Sequence, residues 1–216
     1  MALRFVRPSD EHLDAPGLAE RPIGHRRTGH YPVPVHTDAE HERLLTLYRR
    51  RVAGYAGVDD EFRRRWADWC RRLLGLGGEL VVPPPRPDTD LDALLDGASP
   101  YGPAARCVPG DDNACHENVA VLWTDGAVAA VGTGYALSDD GLWRSHSWGV
   151  DADGTAVETT VERVAYHGIA LTGVPALHFA VGNAGNHVKK VMRAPGPRAR
   201  ELMALLVEAR RLATGA

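Results

Sequence analysis

A thiol, an imidazole and a carboxylate follow one another through the middle of this chain, at Cys115, His146 and Glu158. Cys115 lies in Asp111-Asp-Asn-Ala-Cys-His-Glu-Asn118, His146 in Trp143-Arg-Ser-His-Ser-Trp-Gly149, and Glu158 in Val157-Glu-Thr-Thr160. A cysteine attacks as its thiolate, and a free thiol is mostly protonated at neutral pH. The first turn of a helix favours the anion through unpaired amides and the helix dipole, and a neighbouring imidazolium favours it further. Cys115 at a helix start, with His146 on a facing strand, supplies both effects. Backbone amides around Cys115, with Asn113 as a side-chain donor, suit the oxyanion of a tetrahedral intermediate. Glu158 suits the third role, fixing the imidazole tautomer and stabilising its charge. The chemistry this implies runs through an acyl-thioester on Cys115. Water as acceptor gives hydrolysis and an amine gives transamidation.

The elements that must carry these groups can be read around them. Asp112 or Asn113 caps a helix bearing Val119, Leu122 and Trp123; the competing reading makes Asp125-Gly126 a hairpin turn between two strands. The helix is the reading adopted. Strands follow over 127–137, 142–150 and 155–161, separated by Ser138-Asp-Asp-Gly141 and Asp151-Ala-Asp-Gly154, which are hairpin signals. In the second hairpin His146 comes to face a residue near Glu158, and the register decides whether both point the same way. Trp148 shares the facing of His146 and would shield the pair from water; plain core packing is its other reading. Strands over 164–171 and 178–181 come next, then a polar loop over Gly182–His187. Pro197 opens a last helix with Leu202, Leu205, Leu206, Ala209 and Leu212 on its apolar face.

Residues 1–36 are rich in Pro, Gly, His and Arg and predict an extended arm ahead of a single α+β domain over 37–216. Residues 37–82 predict a helical hairpin. Thr37 caps its first helix, Asp59 and Asp60 start its second, and Phe62, Trp66, Trp69, Leu73 and Leu76 form one stripe. Glu79-Leu-Val-Val82 reads as a short strand. From 83 to 113 the prolines predict a long connection with one short helix at Leu91, Leu94 and Leu95, and such connections often border active sites.

The ordered set Cys115, Gly134-Tyr135, His146-Ser147-Trp148 and Glu158-Thr159-Thr160 resembles the transglutaminase-like superfamily, the papain-related Cys-His-Asp enzymes. That family places a cysteine at a helix N-terminus, then a strand ending in Gly-Tyr, a strand with His-Ala-Trp and a strand with Asp-Pro-Thr. The resemblance spans about residues 111–172. It implies an α+β fold with a papain/transglutaminase-like core: the catalytic cysteine at a helix N-terminus, packed on an antiparallel sheet, with flanking helices. It also implies a cysteine hydrolase or acyltransferase with Cys115, His146 and Glu158 catalytic. Asn113, His116, Trp148 and Tyr135 would then lie around the substrate or oxyanion. The acid here is Glu where Asp is commoner, and the connections around it are short. The substrate class is a peptide, a protein or a small amide, with no cofactor and no metal.

Composition narrows the alternatives. With 44% apolar and 25% charged residues and a net charge of −3, the chain reads as soluble and globular, not as a nucleic-acid binder with a broad basic surface. No apolar run is long enough to cross a membrane, and no export signal is evident near the N-terminus, so a cytoplasmic protein is expected. Cys70, Cys107 and Cys115 are an odd set at unrelated spacings, which argues for free thiols in a reducing compartment. Three rival readings stand beside the thiol enzyme. His116, or His178 and His187, would be metal ligands; His167 would replace His146; or the fold would be an inactive binding module.

Overall fold

The computed structural model describes residues 36–104 and 106–215. The predicted arm, apart from His36, lies outside the described residues. Mixed α+β architecture is present, with six helices and seven strands among the described residues. In chain order these are α1 Asp38–Ala53, α2 Asp60–Leu76, β1 Leu80–Val81, α3 Leu91–Gly97, β2 Ser99–Tyr101, β3 Arg106–Cys107 and α4 Cys115–Asp125. They continue as β4 Ala130–Leu137, β5 Leu142–Val150, β6 Ala156–Glu158, β7 Ala165–Leu171, α5 Gly173–Arg193 and α6 Pro197–Thr214. The sheet is mostly antiparallel, in the order β2-β7-β4-β5-β6-β3, and β1 pairs with β5 in parallel. The chain groups into two compact units. One holds residues 36–100, 134–145 and 163–167, and the other holds 101–133, 146–162 and 168–215.

The first unit is built on α1 and α2. The Thr37 hydroxyl accepts from the Glu40 amide at 3.3 Å and the Asp59 carboxylate from the Phe62 amide at 2.8 Å, so both caps sit where the sequence put them. The α2 stripe buries Trp66, Trp69, Cys70 and Leu73. Tyr135 is packed on this stripe, its ring 6.0 Å from Trp66 and 5.7 Å from Trp69, and its hydroxyl donates to Asp88 at 3.0 Å.

The second unit packs α4, α5 and α6 around one apolar core. Val119, Ala120 and Trp123 of α4 meet Val131 and Val157 of the strands, Ala176, Leu177, Ala180, Ala184 and Val188 of α5, and Leu202 of α6. Arg198 covers the Trp123 ring at 4.8 Å and donates to the Thr124 carbonyl at 2.9 Å. Gly126, with φ 77°, ends α4 as a left-handed cap, so Asp125-Gly126 terminates a helix and does not join two strands.

Several expectations are corrected. The strand expected over 178–181 and the loop over 182–187 are both part of α5. Buried positions 176, 177, 180, 184 and 188 recur at helical spacing, and that packing outweighs the low helix propensity of Gly182, Asn183 and Gly185. The weak propensity shows only as a local departure at Ala184 (φ −139°, ψ 41°). The 83–113 connection holds the expected short helix as α3, and beyond expectation it also holds β2 and β3. Strand β3 runs parallel to β6, with Arg106 opposite Val157 and Cys107 opposite Glu158. Strand β4 begins at Ala130 and β6 ends at Glu158, both shorter than expected. Among the described residues no helix is long and apolar enough to cross a membrane.

Candidate active site

Strand register brings the imidazole and the carboxylate to one face. Gly149 lies opposite Val157 and Val150 opposite Ala156. One further step sets Trp148 opposite Glu158, with His146 on the diagonal, so all three side chains leave the same face of the β5–β6 pair. The His146 Nε2–H donates to the Glu158 carboxylate at 2.9 and 3.2 Å. Both groups are buried, His146 at 3% and Glu158 at 0% exposure. Glu158 is held from its other side by the turn that ends β6. Its Oε1 accepts from the Thr159 amide at 2.8 Å, the Thr160 amide at 2.8 Å and the Thr160 hydroxyl at 3.0 Å. A carboxylate bound by this many donors is fixed in orientation.

The thiol comes from the first residue of α4. The helix starts after Ala114, which has no capping side chain, so neither Asp112 nor Asn113 is the cap. Ala114 brings no side-chain oxygen to the first-turn amides, which point toward the thiol end of the helix. Asn113 instead makes the turn into the helix: it is exposed, with φ 59°, a left-handed conformation that Asn adopts more readily than most residues. The Cys115 side chain hydrogen-bonds to His146 and to the backbone amide of Ser147. His146 Nε2 is engaged by Glu158, which leaves Nδ1 for the thiol.

Electrostatics act on both partners of this contact. Burial pushes the Cys115 thiol up, but the His146 hydrogen bond and charge, with the Ser147 amide, outweigh it and hold the thiol below its ordinary value. For His146 burial pushes down, and the bonds to Cys115 and Glu158 outweigh that and raise it. Both shifts favour thiolate beside imidazolium. Cys70 is the contrast: wholly buried with no such partners, its thiol is pushed well up. Cys107 is exposed.

The other residues singled out in the sequence fall in different places. His116 is in the site, but its Nδ1 lies 2.7 Å from the Ser147 hydroxyl. The Ser147 hydroxyl lies in turn 3.3 Å from Thr133 Oγ1. Cys115–His146 and His116–Ser147 thus form two adjacent links between α4 and β5. Trp148 is fully buried, with Tyr101 edge-on at 5.4 Å. It lies so close over Gly132 that a Cβ there would be 2.2 Å from the indole nitrogen. Tyr135, read from the sequence as a substrate contact, is a core residue of the first unit, 0% exposed and bonded to Asp88. His167 also belongs to the first unit, stacked on Trp69 at 5.3 Å, and burial pushes it down to about 4. The 182–187 segment, expected as a polar loop, is helical. His187 bonds to Asp125 at 2.8 Å, and among the described residues no group of three His, Cys, Asp or Glu side chains is disposed to hold a metal ion.

Four residues at the site were not assigned roles from the sequence. The Ser147 amide and hydroxyl support Cys115 and His116, although strand alternation places its side chain opposite His146. Thr159 and Thr160 cradle the carboxylate; an acidic residue followed by two Thr at a strand end was the available sign. Asn118 bonds to both Asp111 and Thr159. No family model matches the chain, and no curated protein or solved structure matches it.

Proposed function

We propose that this chain is a cysteine hydrolase or acyltransferase of transglutaminase-like kind, acting on an amide or ester through an acyl-thioester. The observation that carries the reading is the hydrogen-bonded series Cys115–His146–Glu158, with the thiol held below and the imidazole above their ordinary values. In the proposed reaction Cys115 Sγ attacks the substrate carbonyl, and first-turn amides of α4 receive the oxyanion. As the tetrahedral intermediate collapses, the C–N or C–O bond breaks and His146 gives its proton to the leaving amine or alcohol. His146 then takes a proton from water or an incoming amine, which attacks the thioester and regenerates the thiolate. Glu158 keeps the imidazole oriented and its cation stabilised. Peptides, proteins and small amides are the proposed substrates, and a reducing compartment suits a free thiol of this kind.

The reading is tested by trapping the intermediate. The protein is mixed with p-nitrophenyl acetate, quenched in acid and mapped by peptide mass spectrometry. The expected result is an acetyl group on the Cys115 peptide, removed by hydroxylamine, and absent in His146→Ala. Acetylation of the exposed Cys107 with none on Cys115, in folded protein, would overturn the reading.

A further inference from the structure

Asn118 joins the peptide leading into the thiol to the strand end bearing the carboxylate. It lies about one turn beyond Cys115 in α4. Its side-chain amide closes a ring on Asp111: Nδ2 donates to the Asp111 carbonyl at 2.8 Å, and Oδ1 accepts from the Asp111 amide at 3.1 Å. Nδ2 also reaches the Thr159 carbonyl at 3.4 Å. The segment before Asp111 is already laid along β6, since the Val108 amide donates to the Glu158 carbonyl at 2.8 Å and the Gly110 amide to the Thr159 carbonyl at 2.9 Å. The fit around the amide is close. A Cβ added at Gly110 would lie 2.4 to 2.6 Å from the Asn118 side-chain atoms.

We propose that Asn118 is a positioning residue: it locks the first turn of α4 to the segment that orients Glu158, and so sets how Cys115 meets His146. The inference rests on the thiol chemistry proposed above. Two donors and one acceptor on one planar group are needed at this point, all with short reach. Aspartate has the shape of Asn118 and no donors; glutamine has the donors and one methylene too many. A small displacement of a reacting group is enough to lower turnover strongly, about 100-fold for 1 Å. A role confined to stability would change the melting temperature and leave the ionisation of Cys115 as it was.

The test compares wild type, Asn118→Asp, Asn118→Ala, Gly110→Ala and the Asn118→Ala/Gly110→Ala pair. For each, the iodoacetamide reaction of Cys115 is followed against pH, and p-nitrophenyl acetate turnover is resolved into kcat and KM. Asn118→Asp is expected to move the alkylation midpoint upward and to lower kcat by about 10- to 100-fold, with KM within about twofold. Gly110→Ala is expected to do the same, because its methyl displaces the Asn118 amide. In the double variant the methyl has room, so thermal stability recovers relative to Gly110→Ala while the midpoint stays shifted. A midpoint and kcat unchanged in Asn118→Asp, or a double variant with the wild-type midpoint, would overturn the proposal. Those results leave the thiol reading intact if the wild-type midpoint is low and depends on His146. An ordinary wild-type midpoint removes both.

Discussion

Cys115→Ala is expected to lower p-nitrophenyl acetate turnover by on the order of 10⁴-fold or more, with little change in thermal stability. In the proposed reaction the size follows from removing the atom that would form the covalent bond, which would leave only substrate binding and the oxyanion donors. The stability expectation follows from position. Cys115 is partly exposed at the start of a helix whose packing comes from Val119, Ala120 and Trp123. The variant should therefore melt within a few degrees of wild type, the shift that about 1 kcal/mol gives in a chain of this size. Cys115→Ser should be almost as inactive, because a hydroxyl beside the same imidazole is not ionised as the thiol is. Cys70→Ala, at a buried thiol pushed well up, should keep kcat while costing stability. Turnover is read on purified variants alongside thermal unfolding. Full activity in folded Cys115→Ala would end the thiol mechanism.

Glu158→Gln and Glu158→Ala are expected to separate orientation from folding. In Glu158→Gln the side chain keeps its volume, but the charge that stabilises the imidazolium is gone. His146 should then titrate lower and support the thiolate less. Glu158 also repels the thiolate directly, which opposes this effect, but both His146 contributions to the Cys115 shift outrank that repulsion. The net expectation is a higher thiol value and a loss of about 10²- to 10⁴-fold in kcat. In Glu158→Ala four buried or half-buried donors lose their acceptor: His146 Nε2, the Thr159 and Thr160 amides and the Thr160 hydroxyl. Breaking a buried pair in this way costs about 3–5 kcal/mol, a large part of the usual 5–15 kcal/mol of a folded domain. A fall of about 6–20 °C in melting temperature is expected. Glu158→Gln is therefore the informative variant for turnover. Equal melting temperatures for Glu158→Ala and wild type would contradict the buried network.

Local physics made much of this legible beforehand. Thr37 and Asp59 cap their helices because a short oxygen-bearing side chain stood before each apolar stripe. Strand β5 has the expected bounds because Ser138–Gly141 and Asp151–Gly154 mark both its ends. The order thiol, imidazole, carboxylate pointed to three groups that the fold brings together. What escaped the sequence depends on distant partners. Glu158 sits on a three-residue strand, so only its pairing with β5 settles which face it uses. Strand β3 exists through Val157 and Glu158, far along the chain, and has too few residues to show a period. Helix α5 was obscured by its glycines, because its stability comes from a buried stripe on α4 and α6. Tyr135 follows a Gly in a strand that enters the first unit's core, where Trp66, Trp69 and Asp88 decide its role.

The central claim is a thiolate–imidazolium pair at Cys115 and His146, and the most direct measurement is the rate of Cys115 alkylation against pH. Iodoacetamide labelling is read by peptide mass, in wild type and in His146→Ala, beside a small free thiol. Because the Cys115 value is lowered, its thiolate persists as pH falls below the free-thiol midpoint of about 8.5. The account predicts a wild-type midpoint clearly below that of the free thiol. It predicts a midpoint above it in His146→Ala, where burial acts without the imidazole to oppose it. A wild-type midpoint at or above the free thiol, or one that His146→Ala leaves in place, would contradict the account.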